Sequence, residues 1–151
     1  MSVVVQESHP WAALDGSQPP GINIIVARNA GSGMSASIGA GIAAQHQANT
    51  VMIALADMIY VRKDTLEQLW SVARSQKIVV PRSLNTSSEQ KIGNPVIFGR
   101  HFFDQLLGLT GAKGGRQICQ NNAHALHYVD VDDAGIFHDI DTLCDIKLEQ
   151  T

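Results

Sequence analysis

Two short acidic stretches carry the residues best suited to chemistry. Leu55-Ala56-Asp57-Met58 ends a run of aliphatic residues with a carboxylate. His138-Asp139-Ile140-Asp141-Thr142-Leu143-Cys144-Asp145 places two carboxylates on either side of Ile140. In extended backbone alternate residues share a face, so Asp139 and Asp141 would point the same way. Two carboxylates held together repel unless a cation or hydrogen bonds compensate. Hard oxygen donors of this kind suit Mg²⁺, which commonly takes one or two carboxylates and completes its shell with phosphates and water. Simpler roles stay open: Asp57 as a turn cap or a solvated loop residue, and Thr142 and Asp145 as helix N-caps.

Other motifs carry less. Gly31-Ser32-Gly33-Met34-Ser35-Ala36 fits the GxGxxA form of a dinucleotide fingerprint. That fingerprint turns directly at the strand end and has an acidic residue at the end of the next strand. Here Arg28-Asn29-Ala30 intervene and Asp57 lies too far on, which favours a wide turn whose small residues let a helix pack closely. Residues 108–115 are glycine-rich and include Lys113, but lack the P-loop spacing and a preceding strand. Their backbone amides, with Arg116 beside them, suit either an anion or a plain interhelical turn. The six histidines form no metal-ligand set.

These residues need a scaffold, and its elements alternate along the chain. Aliphatic strands are predicted at 3–5, 23–27, 50–55 and 77–81, with little polar interruption, as expected of strands covered on both faces. Helical spacing marks 35–47, with Ile38 and Ile42 four apart, and 64–74, with Leu66, Leu69, Trp70 and Ala73 on one face. Asp64, with Glu67 three residues later, is a candidate capping box. Beyond a polar loop at 82–92 come a strand at 96–98, helices at 101–107 and 116–121, a strand at 126–131 and a turn at 132–135. Strand–helix–strand units of this kind build an α/β domain with helices on both faces of a mostly parallel sheet.

The 151 residues suit a single domain, and 44% apolar with 17% charged residues argues against disorder. A net charge of −3 without a basic cluster argues against nucleic acid as a partner. No apolar run reaches the roughly 20 residues of a membrane span, and residues 1–6 lack the pattern of a signal peptide. Cys119 and Cys144 are expected to be reduced thiols, and the protein cytoplasmic.

In order, Asn29…Gly33-Met34-Ser35-Ala36-Ser37-Ile38…Gly41, Leu55-Ala56-Asp57-Met58, Val80-Pro81, Gly93-Asn94-Pro95-Val96, Gly114-Gly115-Arg116 and Asp139-Ile140-Asp141-Thr142…Asp145 form a series. This series resembles the molybdenum-cofactor cytidylyltransferase branch of the MobA-like nucleotidyltransferases. The resemblance implies a Rossmann-like, GT-A-like three-layer fold. It also implies transfer of CMP or GMP from CTP or GTP to molybdopterin, with release of pyrophosphate. Asp57 and Asp141 would be catalytic and hold Mg²⁺, with Asp139 supporting them. Asn29 and Ser37 would lie near the nucleotide, and Asn94 and Arg116 would face the pterin.

The family opens with a strand and a glycine-rich loop bearing Arg and Lys that wraps the triphosphate. Nothing similar precedes Val3, so residues 1–151 read as an N-terminally truncated domain. Ile59 replaces a proline usual after Asp-Met, and Ala112 an Asp usual in the Gly-Asp turn. Without the loop's cations and amides, triphosphate binding should be weakened. The implied alternatives are a non-catalytic module that binds molybdopterin for a molybdoenzyme partner, or a degenerate homologue. A missing central strand would leave apolar surface for a homo-oligomer to cover.

Overall fold

A computed structural model describes residues 1–13, 19–28, 33–83, 92–111 and 114–140. Strands β1 (Ser2–Gln6) and β2 (Asn23–Ala27) pair in parallel, Val4 opposite Ile25. A four-stranded sheet follows, built from β3 (Thr50–Ile53), β4 (Ile78–Ser83), β5 (Val96–Gly99) and β6 (Leu126–Val131) in the order β3-β5-β4-β6. β4 and β6 are parallel, while β5 runs antiparallel to both β3 and β4. β3, β4 and β6 therefore share one direction, and their carboxyl ends form one rim. The expected parallel character holds for these three, and β5 is the exception.

Alternation along the strands sorts the apolar residues into two layers. Ile78 and Val80 of β4 join Val96 and Phe98 of β5, with Val51 and Ile53 of β3, in one core. Helices α1 (Met34–Ala44), α3 (Phe103–Leu107) and α4 (Gly115–Asn121) supply Ile38, Ile42, Leu106 and Ile118 to the same core. On the opposite face Val79 and Ile97 pack on Leu69 of α2 (Lys63–Ser71), with Met52 and Val129 beside them. Helices thus cover both faces of the sheet. Leu69 is fully buried, and truncating such a leucine to alanine costs about 2–5 kcal/mol. No helix among the described residues is long and apolar enough to cross a membrane.

Element edges depart from expectation in instructive ways. β3 stops at Ile53, two residues early, and α2 begins at Lys63 and ends at Ser71. The expected capping box at Asp64 does not form. Arg62 is the N-cap residue, no local side chain caps the helix, and Asp64 sits in the first turn 3.6 Å from the Arg62 guanidinium. A carboxylate from elsewhere in the chain has taken over that end. Residues 101–107 split into a 3₁₀ turn (Arg100–Phe102) and α3.

Candidate functional site at the carboxyl rim of the sheet

Beyond Ile53 the chain passes through turns at 54–62 before α2 starts. Asp57 lies in this segment with an exposed side chain. Beyond Val131 the chain forms a 3₁₀ turn (Ala134–Phe137) and continues to Ile140. The two segments lie against each other. The Ile140 amide donates to the carbonyl of Asp57 at 3.0 Å. The Tyr60 and His138 rings meet edge to face, centroids 5.3 Å apart. Gly135 approaches the Tyr60 carbonyl so closely that a Cβ there would lie 2.3 Å from its oxygen.

Asp133 ties the same two segments together at their other end. Its Oδ2 accepts from the Arg62 backbone N–H at 2.9 Å and from the Thr65 hydroxyl at 2.6 Å. Its Oδ1 accepts from the Gly135 N–H at 2.9 Å. Burial raises the pKa of this carboxyl, but the three hydrogen bonds and the charge of Arg62 outweigh it and leave the group below its ordinary value. The Arg62 guanidinium also donates to the Asp132 carbonyl.

Asn94 stands at the same rim, because Val96 of the antiparallel β5 pairs with Ile53, the last residue of β3. The half-buried Asn94 donates its backbone N–H to the Ile136 carbonyl at 2.9 Å, and Gly93 donates to the Pro81 carbonyl at 3.0 Å. The Asn94-Pro95 peptide is cis. Nearby, Arg82 at the end of β4 grips Asp130 of β6 with two bonds of 2.6 and 2.9 Å and lies 5.1 Å above the Tyr128 ring. That hydrogen-bonded pairing lowers the Asp130 pKa and raises that of Arg82.

A second feature lies at the start of α1. An open cavity of about 690 Å³ is lined by Ala27 at the end of β2 and Arg28 after it, by Ser35 and Ala36 of α1, and by Leu109 and Gly111. The Ser35 hydroxyl and backbone N–H both reach the Gly111 carbonyl, at 2.7 and 3.4 Å. Gly114 packs on Met34, where an added Cβ would lie 2.7 Å from its sulfur. Neither Asp57 nor Asp139 borders this cavity, so the cavity and the acidic rim are separate features.

The sequence-derived candidates therefore divide. Asp57, Asp139 and Asn94 are linked through backbone hydrogen bonds of the segments that carry them. Ser37 is half-buried in α1, outside the walls of the cavity, and Arg116 is exposed in the first turn of α4. Asn29 and Asp141 lie outside the described residues, as do Thr142, Cys144 and Asp145. Neither Asp57 nor Asp139 forms an ion pair with a described residue, and no group of three or more His, Cys, Asp or Glu side chains with metal-binding geometry occurs among the described residues. Asp133, Thr65 and the Tyr60–His138 contact were not legible beforehand. The only sequence signal was an aspartate just before Ala134-Gly135, a composition that favours capping a short turn.

Comparison with solved structures places this architecture among known ones. The chain is similar to a homologue, from Mycobacterium sp. strain JC1, of Mycobacterium tuberculosis Rv0371c, at 22% identity and a TM-score of 0.73. That match covers 96% of this chain and 70% of the other. It is likewise similar to Rv0371c of M. tuberculosis H37Rv in complex with manganese, at 23% identity and a TM-score of 0.70, over 96% and 74% of the two chains. A further structure of Rv0371c from H37Rv gives 21% identity and a TM-score of 0.72, over 96% and 72%. No curated protein matches. The family model for the MobA-like NTP transferase domain matches residues 2–127, most of the chain, which therefore belongs to that family of nucleotidyltransferase-type proteins.

Proposed function

We propose that this chain is a divalent-cation-dependent nucleotidyltransferase domain that acts in molybdenum-cofactor synthesis. In this reading a terminal phosphate oxygen of molybdopterin attacks the α-phosphorus of CTP or GTP. The bond to the β-phosphate breaks and pyrophosphate leaves, so that CMP or GMP is transferred. Asp57 and Asp141 would hold Mg²⁺ as the catalytic pair, with Asp139 supporting that site. A bound Mg²⁺ supplies charge neutralisation at the phosphate oxygens and holds nucleophile and leaving group in line.

The observation that carries the reading is the hydrogen bond from the Ile140 amide to the Asp57 carbonyl at 3.0 Å. It sets the Asp57 segment beside Asp139, the residue before Ile140. The donor set suits a hard cation: the Asp57 and Asp139 side chains are exposed and have no ion-pair partner among the described residues. Two carboxylates also match what Mg²⁺ commonly takes from protein when phosphates complete its shell. The manganese in the Rv0371c complex supports a divalent cation.

Asn29 and Ser37 serve the nucleotide. Asn94 and Arg116 face the pterin. The reading extends to a homo-oligomer: among the described residues β1 and β3 each pair with a single strand and leave an edge that a second copy can cover. Gel filtration giving a monomer at high concentration removes that part.

Calorimetric titration of CTP and GTP at saturating Mg²⁺, followed by pyrophosphate release with molybdopterin, tests the reaction. Micromolar to millimolar binding that needs the cation is expected. Absence of binding for both nucleotides rejects the activity, and molybdopterin binding without nucleotide binding favours a non-catalytic carrier for a molybdoenzyme.

A further inference from the structure

We propose that Asp133 is the positioning residue of the acidic rim: its buried carboxylate locks the Asp57 and Asp139 segments into the one arrangement that a divalent cation can use. This inference rests on the cation site described under the proposed function. It adds a residue that touches neither cation nor substrate.

The contacts between the two segments run in sequence. On one segment they fall at 62, 60 and 57; on the other they rise through 133, 135 and 140. The segments thus lie antiparallel, and no regular strand pairing supports them. Most of the ties between them are weak taken singly. A ring contact and one backbone bond at an exposed rim each add little by themselves. Asp133 is the exception. It is 6% exposed and accepts three hydrogen bonds, two from the start of α2 and one from its own turn.

A carboxylate that only capped α2 would hold nothing beyond that helix. This one lies 71 residues from Arg62 and 68 from Thr65, and its bond to Gly135 fixes the turn that presses on Tyr60. Because α2 is anchored by Leu69 against β4 and β5, Asp133 refers the whole rim to the sheet. Outer-shell carboxylates that orient ligands typically alter metal affinity by about 10–100-fold when removed.

The test uses the full chain as wild type, Asp133→Ala, Asp133→Asn and Leu106→Val. Leu106 lies in the opposite layer and supplies a destabilised control. Hydrogen exchange of the Ile140 amide is measured relative to the amides of β4, and Mn²⁺ affinity by the loss of the free-ion electron paramagnetic signal. In Asp133→Ala the relative exchange of Ile140 should rise about tenfold or more, and Mn²⁺ should bind at least about tenfold more weakly. Asp133→Asn keeps one acceptor oxygen and should fall between. Leu106→Val should lower the melting temperature and change neither readout.

Unchanged Ile140 exchange in both Asp133 variants overturns the proposal, as does an equal effect from Leu106→Val. Faster exchange with unaltered Mn²⁺ affinity overturns the positioning role. If the wild type itself takes up no Mn²⁺, the cation reading falls, and Ile140 exchange alone then decides whether Asp133 holds the segments together.

Discussion

Ile140 hydrogen-bonds through its backbone to Asp57, amide to carbonyl at 3.0 Å, across 83 residues of sequence. Both groups belong to the main chain, so the tie survives any side-chain replacement that leaves the backbone in place. It separates two questions that a carboxylate deletion normally confuses: whether the rim is assembled, and whether its acids bind anything.

Asp57→Asn addresses the second question. The side chain is exposed and makes no ion pair with a described residue, so unfolding in urea should shift by no more than about 0.5 kcal/mol. Mn²⁺ or Mg²⁺ affinity and cation-dependent nucleotide binding should fall by at least about tenfold. Full retention of cation binding by a folded Asp57→Asn protein contradicts the role given to this residue.

Gly135→Ala addresses the first. The new Cβ would stand 2.3 Å from the Tyr60 oxygen and 2.5 Å from its carbonyl carbon, both backbone atoms that cannot rotate away. The segments must separate, at a cost of about 1–3 kcal/mol. Urea denaturation measures it, and a loss below about 0.5 kcal/mol shows that the contact is looser than described.

Acid should expose Asp133. Its folded-state pKa lies below the ordinary carboxylate value, so its contribution to stability is fully present above the unfolded value of about 4. That contribution is lost as pH falls further, through the folded-state value. A plot of melting temperature against pH should therefore fall less steeply below about pH 4 in Asp133→Asn than in the wild type. Parallel curves refute the assignment.

Cys119 is fully buried on the inner face of α4, and burial pushes its thiol up to about 11. It should remain protonated and unreactive at neutral pH. In a Cys144→Ser background, Ellman's reagent at pH 8 should modify Cys119 only when the protein unfolds. Rapid modification of the folded protein disproves the burial.

Much of the scaffold was legible because the signals are local. β6 occupies 126–131 as expected, since its alternation and flanking turn are contained in one short stretch. Ile38 and Ile42, four apart, are both buried in the core. Asp57 falls just past the end of β3, as a carboxylate closing an aliphatic run should. The capping box at Asp64 failed for a non-local reason. Asp133 reaches the Arg62 N–H that a local partner would otherwise satisfy, and nothing near Asp64 announces it.

Alone, the sequence determined the order of strands and helices, the apolar character of strands covered on both faces, and the chemical character of the two acidic stretches. Those follow from backbone periodicity and side-chain type, which are properties of a few consecutive residues. Only the tertiary structure decided that β5 enters antiparallel between β3 and β4, and that Asp133 fastens residues 54–62 to residues 132–140. Pairing partners so far apart in the chain are selected by which arrangement buries the core and satisfies each buried polar group. That is a condition on the whole fold, and it leaves no mark in any single stretch.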